Sequence, residues 1–278
     1  MNDGNNMTEI KNNFRVAAIQ TVSCARLDEN LREAGLLIAR AAQAGAELAV
    51  LPEYFCFMGH KDADKLAIRE MPGSGPIQDF LSSQARQHGI WLVGGTLPLD
   101  NDDPGRIYNS SLVYDPSGTR IARYDKIHLF GFNKGQESYD ESVSIRAGEN
   151  PPQTFMAPCG RVGLSICYDL RFPEFFRALG QVNLIILPAA FTYTTGSAHW
   201  EVLLRARAIE NQCYVLASAQ GGKHENGRRT WGHSVLIDPW GDIVDSIAEG
   251  PGFAIGDIDL QRLSDVRASL PALKHRTM

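Results

Sequence analysis

Val16-Ala-Ala-Ile-Gln20 is an apolar run; after it Leu27, Leu31, Ala34, Ile38 and Ala41 recur at spacings of four and three, and a second apolar run, Leu48-Ala-Val-Leu51, follows. The first run reads as a buried strand. The spaced set falls on one face of a helix, Gly45 stands where a C-terminal cap belongs, and the second run returns as a strand. Outward from this unit the same alternation continues. A helix is expected from Ile77 to His88, stopped by Gly89, then a strand Ile90-Trp-Leu-Val-Gly94, and then a hairpin from Ser110 to Arg123 turning at Asp115-Pro-Ser-Gly118. The second half predicts strands near Arg161 to Ile166, Leu184 to Leu187, Tyr214 to Ser218, Ser234 to Asp238 and Phe253 to Ile258, with helices from Pro173 to Gly180 and Ala198 to Gln212. Nearly continuous apolar strands such as Asn183-Leu-Ile-Ile-Leu187 belong to a sheet covered on both faces. The residues therefore define an α/β fold with some antiparallel pairing, and Gly131 to Glu149 reads as its longest loop.

No Pro, Gly or Ser linker divides the chain, which predicts one domain over 14–278 behind a flexible polar segment, 1–13. With 278 residues, 44% of them hydrophobic and 21% charged, a large core is available without staples. The net charge of -5, with its cations scattered, argues against nucleic acid and anionic membranes as partners. The first 13 residues hold no apolar run of the signal-peptide kind, and no stretch is long enough to span a bilayer, so a cytoplasmic protein is expected. Five dispersed cysteines without a CxxC pair argue against a disulfide framework, and seven histidines without HExxH predict no metal. GxGxxG, GxxxxGK[ST] and GxSxG are all missing, so neither a dinucleotide, a P-loop nor a serine elbow is expected.

Cys167 follows the strand Val162-Gly-Leu-Ser-Ile166 and precedes Pro173, which suits the first turn of a helix. A nucleophile at such a junction sits on a sharp turn whose following N–H groups can face an oxyanion. The plain alternative is a buried free thiol. Glu53, just past the strand Leu48 to Leu51 and beside Tyr54 and Phe55, stands at a strand end where its pKa can rise and where proton transfer is useful; its alternative is a solvated loop charge. Lys126, among strand-forming and aromatic residues, needs an acidic partner if buried, and Glu141 is a candidate. His128, His199 and His233 keep a Cys-His pair open as well.

Together, Leu51-Pro-Glu-Tyr-Phe55, Tyr124-Asp-Lys-Ile-His-Leu-Phe130 and Ile166-Cys-Tyr-Asp-Leu-Arg-Phe-Pro-Glu174 resemble the three signature blocks of the nitrilase superfamily of carbon-nitrogen hydrolases, in their order and spacing. The resemblance implies a four-layer αββα sandwich that pairs as a homodimer into eight layers. It also implies a catalytic Glu53-Lys126-Cys167 triad, a second glutamate bracing the lysine, an oxyanion contact from Tyr168, and no cofactor. Glu141 fits the bracing role, because Glu141-Ser142 ahead of Ala147-Gly148-Glu149 is similar to the family's Glu-Ser segment before a Pro-Gly-Glu turn, with Ala147 in place of proline. Glu137 is its nearby competitor. The segment Phe191 to Glu210, with Gly232-His-Ser234, Asp238-Pro-Trp-Gly241 and Glu249-Gly-Pro-Gly252, resembles the branch that contains deaminated glutathione amidase and omega-amidase, with Ser197 in place of a common proline. That resemblance implies a small α-keto acid amide as substrate, deaminated glutathione before α-ketoglutaramate, with nitrilase or N-carbamoyl amidohydrolase activity as alternatives. Phe191, Thr195 and Arg171 are its expected substrate contacts, the arginine suiting a carboxylate. The alternative for Arg171 is a salt bridge to Glu174 or Asp169. Much of the segment also reads as scaffold, since Trp200, Leu203, Leu204 and Ala208 form a buried helical face.

Overall fold

The computed structural model describes residues 10–135 and 137–277. The first half of the chain runs β1 (Asn13–Gln20), α1 (Leu27–Gln43), β2 (Leu48–Val50), α2 (Pro76–His88), β3 (Trp91–Val93), β4 (Leu97–Leu99), β5 (Tyr108–Tyr114) and β6 (Arg120–Asp125). A small hairpin follows, β7 (Gly131–Lys134) and β8 (Glu137–Asp140). The second half runs β9 (Thr154–Ala157), β10 (Gly160–Leu164), α3 (Pro173–Ala178), β11 (Leu184–Ala189), α4 (Tyr193–Asn211), β12 (Tyr214–Ala219), β13 (Ser234–Ile237), β14 (Ile243–Ile247), β15 (Gly252–Asp259) and α5 (Leu260–Ser269).

These strands form two large sheets, ordered β15-β1-β2-β3-β5-β4 with β6 also on β5, and β14-β13-β12-β11-β10-β9. Each has a parallel centre, β1-β2-β3 in one and β10-β11-β12 in the other. Period-two alternation decides which residues meet. Val16 and Ala18 of β1, with Val50, Val93 and Val113, face Val162, Leu164, Ile186, Leu216 and Val235 of the other sheet. Ile19, Ala49, Leu51 and Leu92 point the other way, against Ala34, Leu37 and Ile38 of α1 and Ile77 and Leu81 of α2. Trp200, Leu204 and Ala208 of α4 and Phe175 and Phe176 of α3 are buried in the same core as the second sheet, and α4 packs on β12 and β13. The result is the αββα sandwich. β15 returns from the far end of the chain to pair antiparallel with the whole of β1, Asn13 to Asp259 through Gln20 to Gly252.

Strands β4, β9 and β14 and helix α5 have no counterpart in the sequence reading, and three segments differ from their expected form. α4 starts at Tyr193, five residues before Ala198, because the Thr192 hydroxyl caps it by accepting from Thr195 N at 3.2 Å. Gly196 lies within that first turn, where a Cβ would stand 2.2 Å from Cβ of Trp231. The long loop from Gly131 holds the β7–β8 hairpin, in which Phe132 pairs with Tyr139, and a 3-10 turn at Glu141–Val143. Of the segment read as flexible, residues 1–9 lie outside the described residues, Lys11 N donates to Pro158 O at 2.9 Å, and β1 opens at Asn13.

Candidate active site

Cys167 stands three residues beyond β10, at the head of a 3-10 turn, Cys167–Arg171, that leads to Pro173 and α3. Its φ is +46°, a left-handed conformation that a non-glycine residue adopts only where its surroundings impose it. Asp169 braces the turn here. Its fully buried carboxylate accepts from Ile166 N at 2.8 Å and from the Tyr124 hydroxyl at 2.8 Å, and bonds His128 Nδ1 at 2.7 Å. The turn that presents the thiol is thereby tied to the Tyr124 to Phe130 segment that presents Lys126.

Glu53 follows β2, where Leu51 N still pairs with Val93 O at 3.0 Å and Tyr54, at φ +58°, turns the chain away. Gly95 permits this turn: at φ +52°, a Cβ there would lie 2.1 Å from Pro52 O. Lys126 follows β6, fixed by its N–H to Asn109 O at 3.0 Å and its carbonyl to Gly148 N at 2.8 Å. Gly148 needs to be small, since a Cβ would meet Asp125 O at 2.3 Å. Glu141 opens the 3-10 turn after β8.

These elements converge on one ammonium. Lys126 Nζ donates to Glu53 Oε1 at 2.8 Å and to Glu141 Oε1 and Oε2 at 3.0 and 2.8 Å. Asn109 Nδ2 adds a second donor to Glu53 Oε1 at 3.0 Å, and Gln220 Nε2 holds the Glu53 carbonyl at 3.1 Å. Glu141 receives two more bonds, from the Tyr54 hydroxyl and from Phe130 N, both at 2.7 Å. Glu137, its competitor, accepts instead from Thr194 Oγ1 at 2.8 Å.

Burial makes the charges interdependent. Lys126 and Glu53 are 0% and 1% exposed in their side chains. Burial raises the Glu53 carboxyl above its ordinary value; Lys126 opposes this and Glu141 reinforces it. Burial acts on Glu141 in the same direction, but the charge of Lys126 and the bonds from Lys126, Phe130 and Tyr54 outweigh it and hold Glu141 below the usual carboxylate range. Burial alone would also lower Lys126, yet Glu141 and Glu53 keep it well above the ordinary lysine value. The Cys167 thiol, in contact with the Glu53 carboxylate, is pushed well above its ordinary value by burial and then by Glu53, against the pull of Lys126. A proton leaving the thiol thus finds an unusually basic carboxylate beside it and a fixed cation nearby.

The four groups meet at a cavity of about 710 Å³, counting its mouth, where Glu53, Glu141 and Cys167 line the wall together with Tyr168, Phe191 and Thr195. Arg171 does not line it. Its guanidinium lies 5.8 Å from the centre of the Tyr168 ring and 5.5 Å from that of Phe191, and Nη1 reaches His199 Nδ1 at 3.3 Å, so it stands behind two cavity residues and is paired with neither Glu174 nor Asp169. None of the three histidines lines the cavity: His128 stacks on Phe172 at 3.8 Å, His199 is held by Arg171, and His233 stacks on Trp231 at 4.0 Å. Sequence reasoning missed Tyr54, Asn109 and Asp169, whose partners are remote in the chain, and the cavity cations Lys65, Arg228 and Arg229. The one local signal was at Asp169, an acid placed to accept from Ile166 N three residues back. Among the described residues no group of three or more His, Cys, Asp or Glu side chains is arranged to hold a metal ion.

A covered two-sheet sandwich carrying a thiol, a lysine and two glutamates at the ends of its strands is the build of a carbon-nitrogen hydrolase. The chain belongs to the carbon-nitrogen hydrolase family, whose model matches residues 15–268. Among its relatives, the deaminated glutathione amidase of Synechocystis sp. is 42% identical over 268 residues, 95% of this chain and 98% of that protein. The structure of Saccharomyces cerevisiae Nit3, a member of branch 10 of the nitrilase superfamily, superposes with a TM-score of 0.86 at 30% identity, covering 98% of this chain and 100% of that one. A glutamate-to-glutamine mutant of the amidase from Nesterenkonia sp. AN1, which shows the result of Michael addition of acrylamide at its active site cysteine, superposes with a TM-score of 0.75 at 28% identity, covering 94% of this chain and 99% of the other.

Proposed function

We propose that this protein is a cysteine-dependent amidase that hydrolyses a small α-keto acid amide, deaminated glutathione first among them. The observation that carries the proposal is the single buried ammonium of Lys126 held between Glu53 and Glu141 on the wall that bears Cys167. Glu53 takes the thiol proton as the Cys167 sulfur attacks the amide carbon. Lys126 and the Tyr168 N–H stabilise the oxyanion, while Glu141, ionised and hydrogen-bonded, holds Lys126 in place. Glu53 returns the proton to the departing amine or ammonia, leaving a thioester, and then takes a proton from the water that hydrolyses it. The raised Glu53 carboxyl suits both duties.

The substrate reading draws support from the name of the 42% identical Synechocystis relative and from the cation Lys65 on the cavity wall, which suits an acidic group. We further infer a cytosolic homodimer of eight layers, each chain acting as one hydrolase unit over 14–278. Free cysteines, four of them buried, suit a reducing compartment, and no helix of the described residues is long and apolar enough to cross a membrane. Exposed Val202 of α4 and Ile243 of β14, which line one groove, support the pairing.

The test follows the product. Deaminated glutathione would yield 2-oxoglutarate and Cys-Gly, α-ketoglutaramate 2-oxoglutarate and ammonia. Preference for the first supports the proposal, preference for the second makes the protein an omega-amidase, and turnover of a nitrile or an N-carbamoyl amine instead of either would overturn the amide reading. Cys167→Ala and Glu53→Gln are each expected to lower kcat by roughly 10⁴-fold with the fold intact. Retained turnover in Cys167→Ala would sink the mechanism.

A further inference from the structure

Three cationic side chains line the cavity, Lys65, Arg228 and Arg229, and Lys126 lies behind Glu53; of these four, three are already neutralised. Lys126, in the wall behind Glu53, is shared by Glu53 and Glu141. Arg228 Nη2 pairs with Asp62 Oδ1 at 2.6 Å, and Arg229 Nη2 with Glu249 Oε1 at 2.8 Å. Lys65 lines the same cavity and, among the described residues, has neither a hydrogen bond nor a carboxylate oxygen within 4.0 Å. Its ammonium rests over the Tyr54 ring, 4.7 Å from the centroid, on the residue whose hydroxyl holds Glu141. The side chain springs from the 3-10 turn Asp62–Ile68, whose start is tied by Lys61 N to Asp64 Oδ2 at 2.9 Å.

Lys65 is partly buried, and drawing an ammonium partly out of water without giving it an anion has a cost that an arriving carboxylate would offset. An aromatic face offsets only part of that cost. We propose that Lys65 is the cation that binds a carboxylate of the substrate, and that it makes this site select acidic amides over neutral ones. The inference rests on the amidase reading and deepens it. Burial holds Lys65 below the ordinary lysine value, with Glu141 and Asp62 opposing and Arg228 adding to the fall, as expected for an ammonium still short of one anion. A bound carboxylate supplies that anion and needs no movement of Arg228 or Arg229 from their own acids. The substrate class is therefore an amide carrying a carboxylate. In deaminated glutathione two groups meet that description, the 2-oxo acid at one end and the glycine at the other.

The experiment compares kcat/KM for α-ketoglutaramate, deaminated glutathione and the neutral pentanamide in the wild type, Lys65→Met and Lys65→Arg, with thermal melts to check folding. Lys65→Met is expected to lower the ratio of acidic to neutral amide by about 10- to 100-fold, mostly through KM, the range of a lost charge-assisted hydrogen bond. Lys65→Arg keeps the charge and should retain most of the ratio. A fall with both acidic substrates assigns Lys65 to the 2-oxo acid carboxylate, and a fall with deaminated glutathione alone assigns it to the glycine carboxylate; either supports the proposal. An unaltered ratio in a folded Lys65→Met overturns it, as does an equal fall in Lys65→Arg. If the wild type hydrolyses none of the amides, the amidase reading fails, and calorimetric titration with 2-oxoglutarate and with Cys-Gly decides the fate of Lys65. Weaker binding of either to Lys65→Met would uphold the carboxylate site, and equal binding of both would end it.

Discussion

Glu53 and Glu141 share one ammonium, yet their proton affinities are driven in opposite directions, because Glu141 receives four hydrogen bonds and Glu53 only two from side-chain donors of the lysine and Asn109. The difference sets the pH dependence. Glu53 must be ionised to accept the thiol proton, so activity falls as pH drops through its carboxyl, which burial and then, against Lys126, the charge of Glu141 place above the ordinary value. Glu141→Gln removes the raising charge and leaves Lys126 to act on Glu53 alone. Its acid limb in kcat/KM is therefore expected at lower pH than in the wild type, with kcat reduced by roughly 10²-fold as Lys126 loses its brace. A pH–rate profile decides this, and an acid limb moved upward would contradict the coupling. The stability that Glu141 contributes responds in the same direction, but at lower pH. Glu141, held below its unfolded value, contributes stability present above the ordinary glutamate pKa and lost as pH falls through its depressed one.

At the scale of elements, the sandwich works by bringing strand ends together, and Gly95 shows how narrow the tolerance is. It leaves β3 against the turn that carries Glu53, with Pro52 O where a Cβ would be. Gly95→Ala must both hold a left-handed φ and displace that backbone carbonyl. A loss of about 2–4 kcal/mol in denaturant unfolding is expected from the two effects together, along with a fall in kcat larger than any change in KM. Unchanged kcat would show that Glu53 does not depend on this packing. Elements of this kind were legible in the sequence where their signal is local. The apolar periodicity of Leu27 to Ala41 and the left-handed Gly89 place α1 and α2 within two residues of their observed bounds. The start of α4 was hidden because Thr192, Gly196 and Ser197 are poor helix formers, and the β7–β8 hairpin because Gly131-Phe-Asn-Lys134 has almost no apolar alternation. The site was legible in the same uneven way. The resemblance of the three blocks named Glu53, Lys126 and Cys167, and that of the Glu141-Ser142 segment named Glu141 ahead of Glu137, whereas Asn109 and Asp169 act on partners 56 and 45 residues away, and no local pattern carries that.

For the molecule as a whole, the chain passes from β14 of the second sheet to β15, which returns to the first sheet beside β1, and the outer faces are covered by α1 and α2 on one side and α3 and α4 on the other. The cover of the second sheet is incomplete. Val202 on α4 is 69% exposed, and Ile243 and Val244 on β14 are 43% and 46% exposed, beside a groove shared by Val202, Ile243, Trp231 and Val235. Ile209 and Trp240, 49% and 51% exposed, extend apolar surface along α4 and into the turn before β14. Scattered apolar residues are ordinary on a protein surface, but a cluster on one helix and its neighbouring strand marks a contact. A second copy docking through the same face would lay α4 against α4 and stack the two sandwiches into eight layers, the isologous arrangement expected of a twofold dimer. Val202→Glu with Ile243→Lys places charge on both sides of that groove, and light scattering is expected to report a monomer for this variant and a dimer for the unaltered protein. Because, among the described residues, the hydrogen bonds on Lys126, Glu53 and Glu141 are made within one chain, the separated chains are expected to keep measurable turnover with a lower thermal midpoint. A dimer that survives both substitutions would place the interface on another face, and complete loss of activity on separation would mean that the neighbouring copy holds the cavity in shape.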